Sequence, residues 1–465
     1  MRIFTKLYKG DAVAAGGTRV FKKLSTEMHV KEGLYDANDI LVASWDELVN
    51  TYGMDVEKDY TDETRKTDTA SLYYIKINNR ELINGKKIVI PDGVTEIGDY
   101  ALYGCGLTNW DIPDSITRIG HYGLGTVGRR NVYGDCNYLG NSRNPYVVLV
   151  GTISSNAPAY DIHPDTKIIY GSVFRSCTNL TSINIPDKVT DIGNYAFCDC
   201  TSLIRVNLPN GVINIGEWAF GRCTGLTAIN IPDSVTTIGG SALNGCSGLT
   251  SFKIPSGVTK IANYTFYDCT GLKSITIPNG VTSIGEYAFC GCSNLRTIDI
   301  PDGVTEIGEF AFHTCSLSGG FKIPAGITRI NSNTFYGCNF TSIVIPDGVT
   351  EIGDWAFSNS QLASITIGNG VKRIGKRAFC YCDLRTINIP DNVTEIGEYA
   401  FVACYYLSSV YIGTGITNIG SNVFYKCDKL AYVYYKGTEE QWNAITFGTI
   451  NEEITNATIH YNYTG

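Results

Sequence analysis

Histidine is scarce: 5 residues in 465, far apart at His29, His121, His163, His313 and His460. A metal hydrolase or a nucleophilic triad needs an imidazole beside a second ligand or a nucleophile. Neither His-Glu-x-x-His nor Gly-x-Ser-x-Gly occurs. Positive charge is also short. The formal net charge is −8, which excludes a general nucleic-acid role, because phosphate binding needs a basic footprint. No apolar run approaches the roughly 20 residues that span a bilayer, and "YVVLVGTI" at 146–153 falls far short. The first residues, "MRIFTKLYKGDAVAAGGTRVFKKL", lack the apolar h-region of about 7–15 residues of a secretory signal. The expectation is therefore a chain not exported by that route.

A phosphate loop is missing too. "GVKRIGKR" (370–377) has Gly-x4-Gly-Lys but ends in Arg, and no long helix is expected after it. Glu96, Asp191, Glu306, Glu351 and Glu395 fall at one place in a recurring pattern, but Thr237, Lys260 and Arg373 interrupt them. They read as a solvated edge rather than a calcium or hydrolase site. His313 reads as a solvated side chain. No enzyme, no cofactor and no metal are expected.

What is present is repetition. "IPDGVTEIGEFAF" at 300–312 returns as "IPDGVTEIGDYAL" from Ile90, "IPNGVTSIGEYAF" from Ile277, "IPDGVTEIGDWAF" from Ile345 and "IPDNVTEIGEYAF" from Ile389. Pro186, Pro209, Pro232, Pro255, Pro278, Pro301 and Pro324 mark a step of 23 residues, and Pro324 to Pro346 one of 22. A period of 20–29 residues is the mark of a solenoid built from short leucine-rich-type repeats. Within one unit, Ile275-Thr276-Ile277 alternates as a short strand with the isoleucines inward. Pro278 stops it and Gly280 permits the turn. Val281 and Ile284 return to the core. Glu286 to Cys292 has the spacing of a helical turn or two, with Ala288, Phe289 and Cys292 on one face. Leu295 closes the coil. The expected fold is thus an α/β repeat solenoid. It is a right-handed rod of about 14 coils, roughly 65 Å long at the spacing of stacked strands.

Most of the 16 cysteines follow the same period. Cys177, Cys200, Cys223, Cys246, Cys269, Cys292, Cys315 and Cys338 make one column, Cys382, Cys404 and Cys427 continue it, and Ser360 replaces one member. They read as packed free thiols. The pairs Cys198/Cys200, Cys290/Cys292 and Cys380/Cys382 have no histidine beside them and make a poor zinc set.

The unit "LTSINIPDKVTDIGNYAFCDC" (180–200) and its copies resemble the BspA-like leucine-rich repeat family over about residues 88–437. "VYYKGTEEQWNAI" (433–445) is similar to the closing segment of such proteins, with Thr438 and Gln441 as a capping box. The resemblance implies surface adhesion and protein–protein interaction.

Three domains are expected: a small module at 1–76, the solenoid at 77–430 with an irregular insertion at 125–161, and a C-terminal cap at 431–465. The first module carries two possible helical stretches, one opened by a Ser44/Glu47 capping box, and a polar linker at 57–71. In the insertion, "RNPYVVLVGTIS" looks like a strand pair laid over a coil.

The candidate binding residues are surface columns. The outward strand position runs Asn184, Asn207, Asn230, Lys253, Thr276, Asp299, Lys322, Val344, Thr366, Asn388, Tyr411. The position before Ala-Phe carries Tyr195, Trp218, Tyr264, Tyr287, Phe310, Trp355 and Tyr399. Such a file can stack sugars, grip a protein, or serve only as a half-covered structural ladder. Lys372, Arg373, Lys376 and Arg377 make one basic spot. The expected function is a non-enzymatic adhesion scaffold facing a protein or glycan on a cell surface. The alternative is a structural component of a phage particle, with 1–76 docked on particle proteins and the rod facing the host.

Overall fold

The computed structural model describes residues 95–99, 110–124, 130–154, 156–318 and 320–464. It also describes the strand backbones Arg2–Phe4, Thr18–Lys23, Gly33–Tyr35, Leu41–Ser44, Met54–Lys58, Leu72–Ile77 and Ile88–Val89. The chain forms a parallel β-solenoid of about 15 turns with little helix. It divides into two compact units, Met1–Cys200 with Asn207–Ala219, and Thr201–Val206 with Phe220–Gly465.

Each coil has three stacked segments, seen clearly around residue 280. The Ile-x-Ile run makes the first strand, Ser274–Thr276, parallel to Ser251–Lys253 of the preceding coil. Ile275 and Ile277 are buried while Ser274 and Thr276 face water, as alternation requires. After the Pro-Gly turn comes a second strand, Ser283–Ile284, between Lys260–Ile261 and Glu306–Ile307. The glycine after it is set by inter-coil distance. A Cβ on Gly308 would stand 2.5 Å from the Glu286 nitrogen, so only hydrogen fits where the coils touch.

The third segment corrects the sequence expectation. The described coils hold no helix over Ala-Phe-x-x-Cys; they hold stacked turns, and the fold is mostly strand rather than α/β. Tyr287 has φ 54° and Gly291 φ 76°, both left-handed, and these two positions stop an α-helix from propagating. The backbone then bonds in two directions. The Tyr287, Phe289 and Gly291 N–H groups donate to the Glu309, Ala311 and His313 carbonyls of the next coil at 3.0, 2.8 and 2.9 Å. The intervening Cys290 and Cys292 N–H groups close turns onto Tyr287 and Phe289. A helix would satisfy all these donors internally. The turn ladder uses half of them to bind the next coil.

The interior is filled by matched columns. Ala288, Phe289, Cys292 and Leu295 are all completely buried. Phe289 stacks on Phe266 at 5.2 Å and on Phe312 at 5.3 Å, nearly parallel. Cys292 Sγ donates to the Phe266 carbonyl at 3.1 Å, and Cys269, Cys315, Cys338, Cys404 and Cys427 repeat this bond. Ser360 keeps the column, its hydroxyl bonded to the Phe357 carbonyl and to Cys382.

In the first unit, Thr18–Lys23 pairs antiparallel with Arg2–Phe4 and with Leu72–Ile77, and Met54–Lys58 pairs antiparallel with Leu72–Ile77. Arg2–Phe4 also runs parallel to Glu96–Ile97. Glu47 of the expected capping box and residues 59–71 of the expected linker lie outside the described residues. The segment 130–152 contributes to the array itself. Val148–Thr152 is parallel to Ile168–Ile169, and the hairpin Asn131–Tyr133/Cys136–Leu139 pairs antiparallel on its other edge. The hairpin thereby covers a sheet edge that would otherwise stay open.

At the C-terminus, helix α1 (Glu439–Asn443) opens with the predicted box, Thr438 and Gln441 bonding each other's backbone. Its Trp442 and Ile454 of helix α2 (Glu452–Thr455) are buried over the last coil.

Candidate binding surfaces

The aromatic file lies on the turn ladder, at its first left-handed position. Tyr195, Trp218, Tyr264, Tyr287, Phe310, Trp355 and Tyr399 all have φ between 54° and 59°. Most rings are half-buried, and Tyr264 is the most open at 36%. In the first unit Tyr195 and Trp218 lie parallel at 6.2 Å. In the second, Tyr264, Tyr287 and Phe310 stack at 4.7 and 4.5 Å, within a few degrees of parallel. Trp355 and Tyr399 hold the Arg377 guanidinium between them, at 4.5 and 4.8 Å from the ring centres. The ring faces are therefore used on one another or on Arg377. What the stack offers outward is ring edges and phenol hydroxyls.

The basic spot is mostly neutralised, contrary to its appearance in sequence. Arg373 lies 2.7 Å from Glu351, 3.6 Å from Glu395 and 3.8 Å from Asp354. Lys376 pairs with Glu398 at 2.9 Å, and Arg377 is sandwiched as above. The acidic column is not a uniform solvated edge either. Glu96 is buried in an ion pair with Arg118. Asp191 is 1% exposed, with Oδ1 accepting from Asn214 Nδ2 at 2.6 Å and Oδ2 unsatisfied. Burial pushes its carboxyl up to about 7, against the smaller pull of Asn214 and Arg118. His313 also departs from expectation. It is half-buried, stacked on Tyr336 at 4.6 Å, and burial lowers its pKa.

The outward strand column is polar and open, as its alternation implied. Lys253 and Lys322 pair with Asp233 and Asp302, and Val344 stands 63% exposed. Sequence reasoning stopped at Tyr411. In the structure Tyr411 begins a further stack, with Tyr434 at 4.8 Å and then His460 at 5.0 Å, flanked by Tyr463. The signal was the parallel register of 409–412, 432–435 and 458–460, hidden because the last strand lies outside the repeat.

All the described cysteines are free and buried. Burial drives the Cys200, Cys290 and Cys382 thiols up to about 12, which leaves them neutral and unreactive. Among the described residues no cluster of three or more His, Cys, Asp or Glu side chains could hold a metal ion. Among them, also, no helix is long and apolar enough to cross a membrane.

Comparison with known proteins agrees with the repeat. The family described as BspA type leucine rich repeat region matches residues 71–126, 167–271, 259–338 and 328–452, well over half of the chain. No curated protein matches. Among solved structures, a leucine rich cell surface protein from Faecalibacterium prausnitzii A2-165 is 32% identical, covering 69% of this chain and 98% of its own, with a TM-score of 0.49. A leucine-rich repeat protein from Bacteroides ovatus ATCC 8483 is 26% identical, covering 69% and 100%, with a TM-score of 0.50. The chain belongs to the BspA-type leucine-rich repeat family.

Proposed function

We propose that this chain is a non-enzymatic binding scaffold, displayed at a cell surface, whose turn ladder grips a protein partner. The observation that carries this reading is the choice of residue at the left-handed slot. Backbone at φ near 57° favours Gly and Asn, and it costs a bulky aromatic residue energy. The fold accepts Ser241, Asn333 and Asn422 in the same slot. Yet Tyr264, Tyr287, Phe310, Trp355 and Tyr399 fill it with large rings. Rings held rigidly and half-exposed lose little entropy on binding, and Tyr and Trp are strong interface anchors. The F. prausnitzii relative is described as a cell surface protein, which supports the location.

The test compares the full chain with Y264N/Y287N/F310N, using residues the slot already tolerates. Both are passed over immobilised extracellular proteins and over a glycan array. Retention by a protein, lost in the triple variant while hydrogen exchange outside the substituted coils stays unchanged, is expected. Equal retention of the two chains, or retention on glycans alone, refutes the proposal.

A further inference from the structure

A repeat chain is its own control. Each coil shows what the backbone needs at each position, so an exposed residue that departs from its siblings serves something else. One edge of three consecutive coils in the second unit departs most. After the column cysteine, other coils carry Thr224-Gly225, Ser247-Gly248, Thr270-Gly271 and Ser293-Asn294. The coil of Cys404 carries Tyr405-Tyr406, 46% and 48% exposed. The coil before it places Tyr381, half-exposed, at the second left-handed position, φ 59°. Gly245, Gly291 and Gly337 occupy that position in sibling coils. The coil after it adds exposed Tyr425, in a slot that Tyr267 and Tyr336 fill in sibling coils. Neighbouring coils place these residues side by side. The Tyr381 ring lies 6.5 Å from Tyr405, and the Ala403 N–H donates to the Tyr425 carbonyl at 2.8 Å.

Two cations complete the edge. Lys426 Nζ sits 5.7 Å from the centre of the Tyr425 ring, and Lys429 Nζ 5.0 Å from that of Tyr406. Elsewhere in this unit Lys253, Lys322, Lys376 and Lys436 each pair with a carboxylate, while among the described residues Lys260, Lys273 and Lys372 do not. Among the described residues, the Lys426 and Lys429 ammonium groups pair with none, although Asp428 lies between them in sequence and Glu453 Oε1 accepts from the Lys426 backbone N–H at 3.0 Å. They are left as positive charges set against aromatic rings, on a chain of net charge −8. Four exposed tyrosines at low entropy cost, with two uncommitted lysines, make a contact patch rather than a solvated surface.

We propose that Tyr381, Tyr405, Tyr406, Tyr425, Lys426 and Lys429 form a docking patch for an acidic polypeptide segment, carboxylates on the lysines and apolar side chains between the tyrosines. This rests on the scaffold reading above and names a different contact within it. The lysines select the charge and the rings supply the contact area. A neutral glycan has no use for the lysines.

The test is fluorescence anisotropy with the full chain and a labelled peptide in which Asp and Glu alternate with Leu and Tyr. A peptide with Lys in place of the acids and a neutral glucan oligosaccharide serve as comparisons. Y405S/Y406G installs the residues of a sibling coil, so hydrogen exchange in the flanking coils should not change, while affinity for the acidic peptide falls about tenfold. K426N/K429S should lower affinity about threefold and flatten its salt dependence. An acidic peptide that fails to bind, that binds no better than the basic peptide or the oligosaccharide, or that binds Y405S/Y406G undiminished overturns the proposal. Y264N/Y287N/F310N should leave peptide binding intact. Loss of protein retention in that triple variant with undiminished peptide binding by Y405S/Y406G would remove the patch and leave the scaffold.

Discussion

Replacing Phe289 by Ala should loosen the solenoid locally. The ring is completely buried and stacks on Phe266 and Phe312 at 5.2 and 5.3 Å. Removing a fully buried Phe costs about 3–5 kcal/mol, through lost transfer energy and the cavity left behind. The two stacked neighbours cannot close the gap easily, because each coil is held by its backbone bonds to the next. In a solenoid the loss should fall on the altered coil and its nearest neighbours. A chain of this length need not unfold in one step, so a single midpoint is a poor measure. Hydrogen exchange read peptide by peptide is better. A loss of about 3 kcal/mol speeds exchange roughly a hundredfold. That acceleration should appear at 264–269, 287–292 and 310–315, with little change at 399–404 and 422–427. Phe289→Leu, which refills most of the volume, should cost no more than about 1.5 kcal/mol. Acceleration of less than tenfold next to the site, or equal acceleration at 422–427, would refute the nearest-neighbour reasoning.

Other outcomes follow from the buried groups. Thiol stability should fail on the alkaline side. The unfolded thiol ionises near 9, whereas burial holds folded Cys200, Cys290 and Cys382 up to about 12. The folded state then binds more protons, so stability is intact below about pH 9 and falls as pH rises beyond it; a thermal melt series across that range checks this. Under native conditions a thiol reagent should label almost none of the described cysteines, and nearly all after denaturation. Cys292→Ser should be mild, under about 1 kcal/mol, because the same column already holds a serine at Ser360, whose hydroxyl donates to the Phe357 carbonyl of its own coil; Cys292→Ala should cost more, since it leaves the Phe266 carbonyl without its thiol donor. Asp191, raised from 3.8 to about 7, stabilises the first unit most below about pH 4 and loses that contribution as pH rises toward 7. Asp191→Asn should flatten that slope, read by exchange at 168–192.

The repeat let the sequence speak for the interior. A period of 23 residues placed Ile275, Ile277, Val281, Ile284, Phe289, Cys292 and Leu295 inside, and all are buried. Each coil covers the apolar face of the next, so one pattern decides every layer. The free thiols and the Thr438/Gln441 box were legible for the same local reasons. The segment from Glu286 to Cys292 was not. Its apolar spacing fits a helix, but spacing is blind to the sign of φ at Tyr287 and Gly291, which stacking against the next coil imposes.

Charges and rings were settled only in three dimensions, because their partners are one coil away rather than next in sequence. Arg373 looked free among Lys372, Lys376 and Arg377, and Glu351 and Glu395, each 22 residues distant, neutralise it. Asp191 looked solvated and is sealed. Tyr264, Tyr287 and Phe310 were visible as a file, but only the stacking distance showed that they spend their faces on each other and present their edges. The sequence by itself determined that coils stack and what fills them, since burial recurs with the repeat. The tertiary structure decided which surface residues remain to meet a partner, because that depends on what each neighbouring coil already holds.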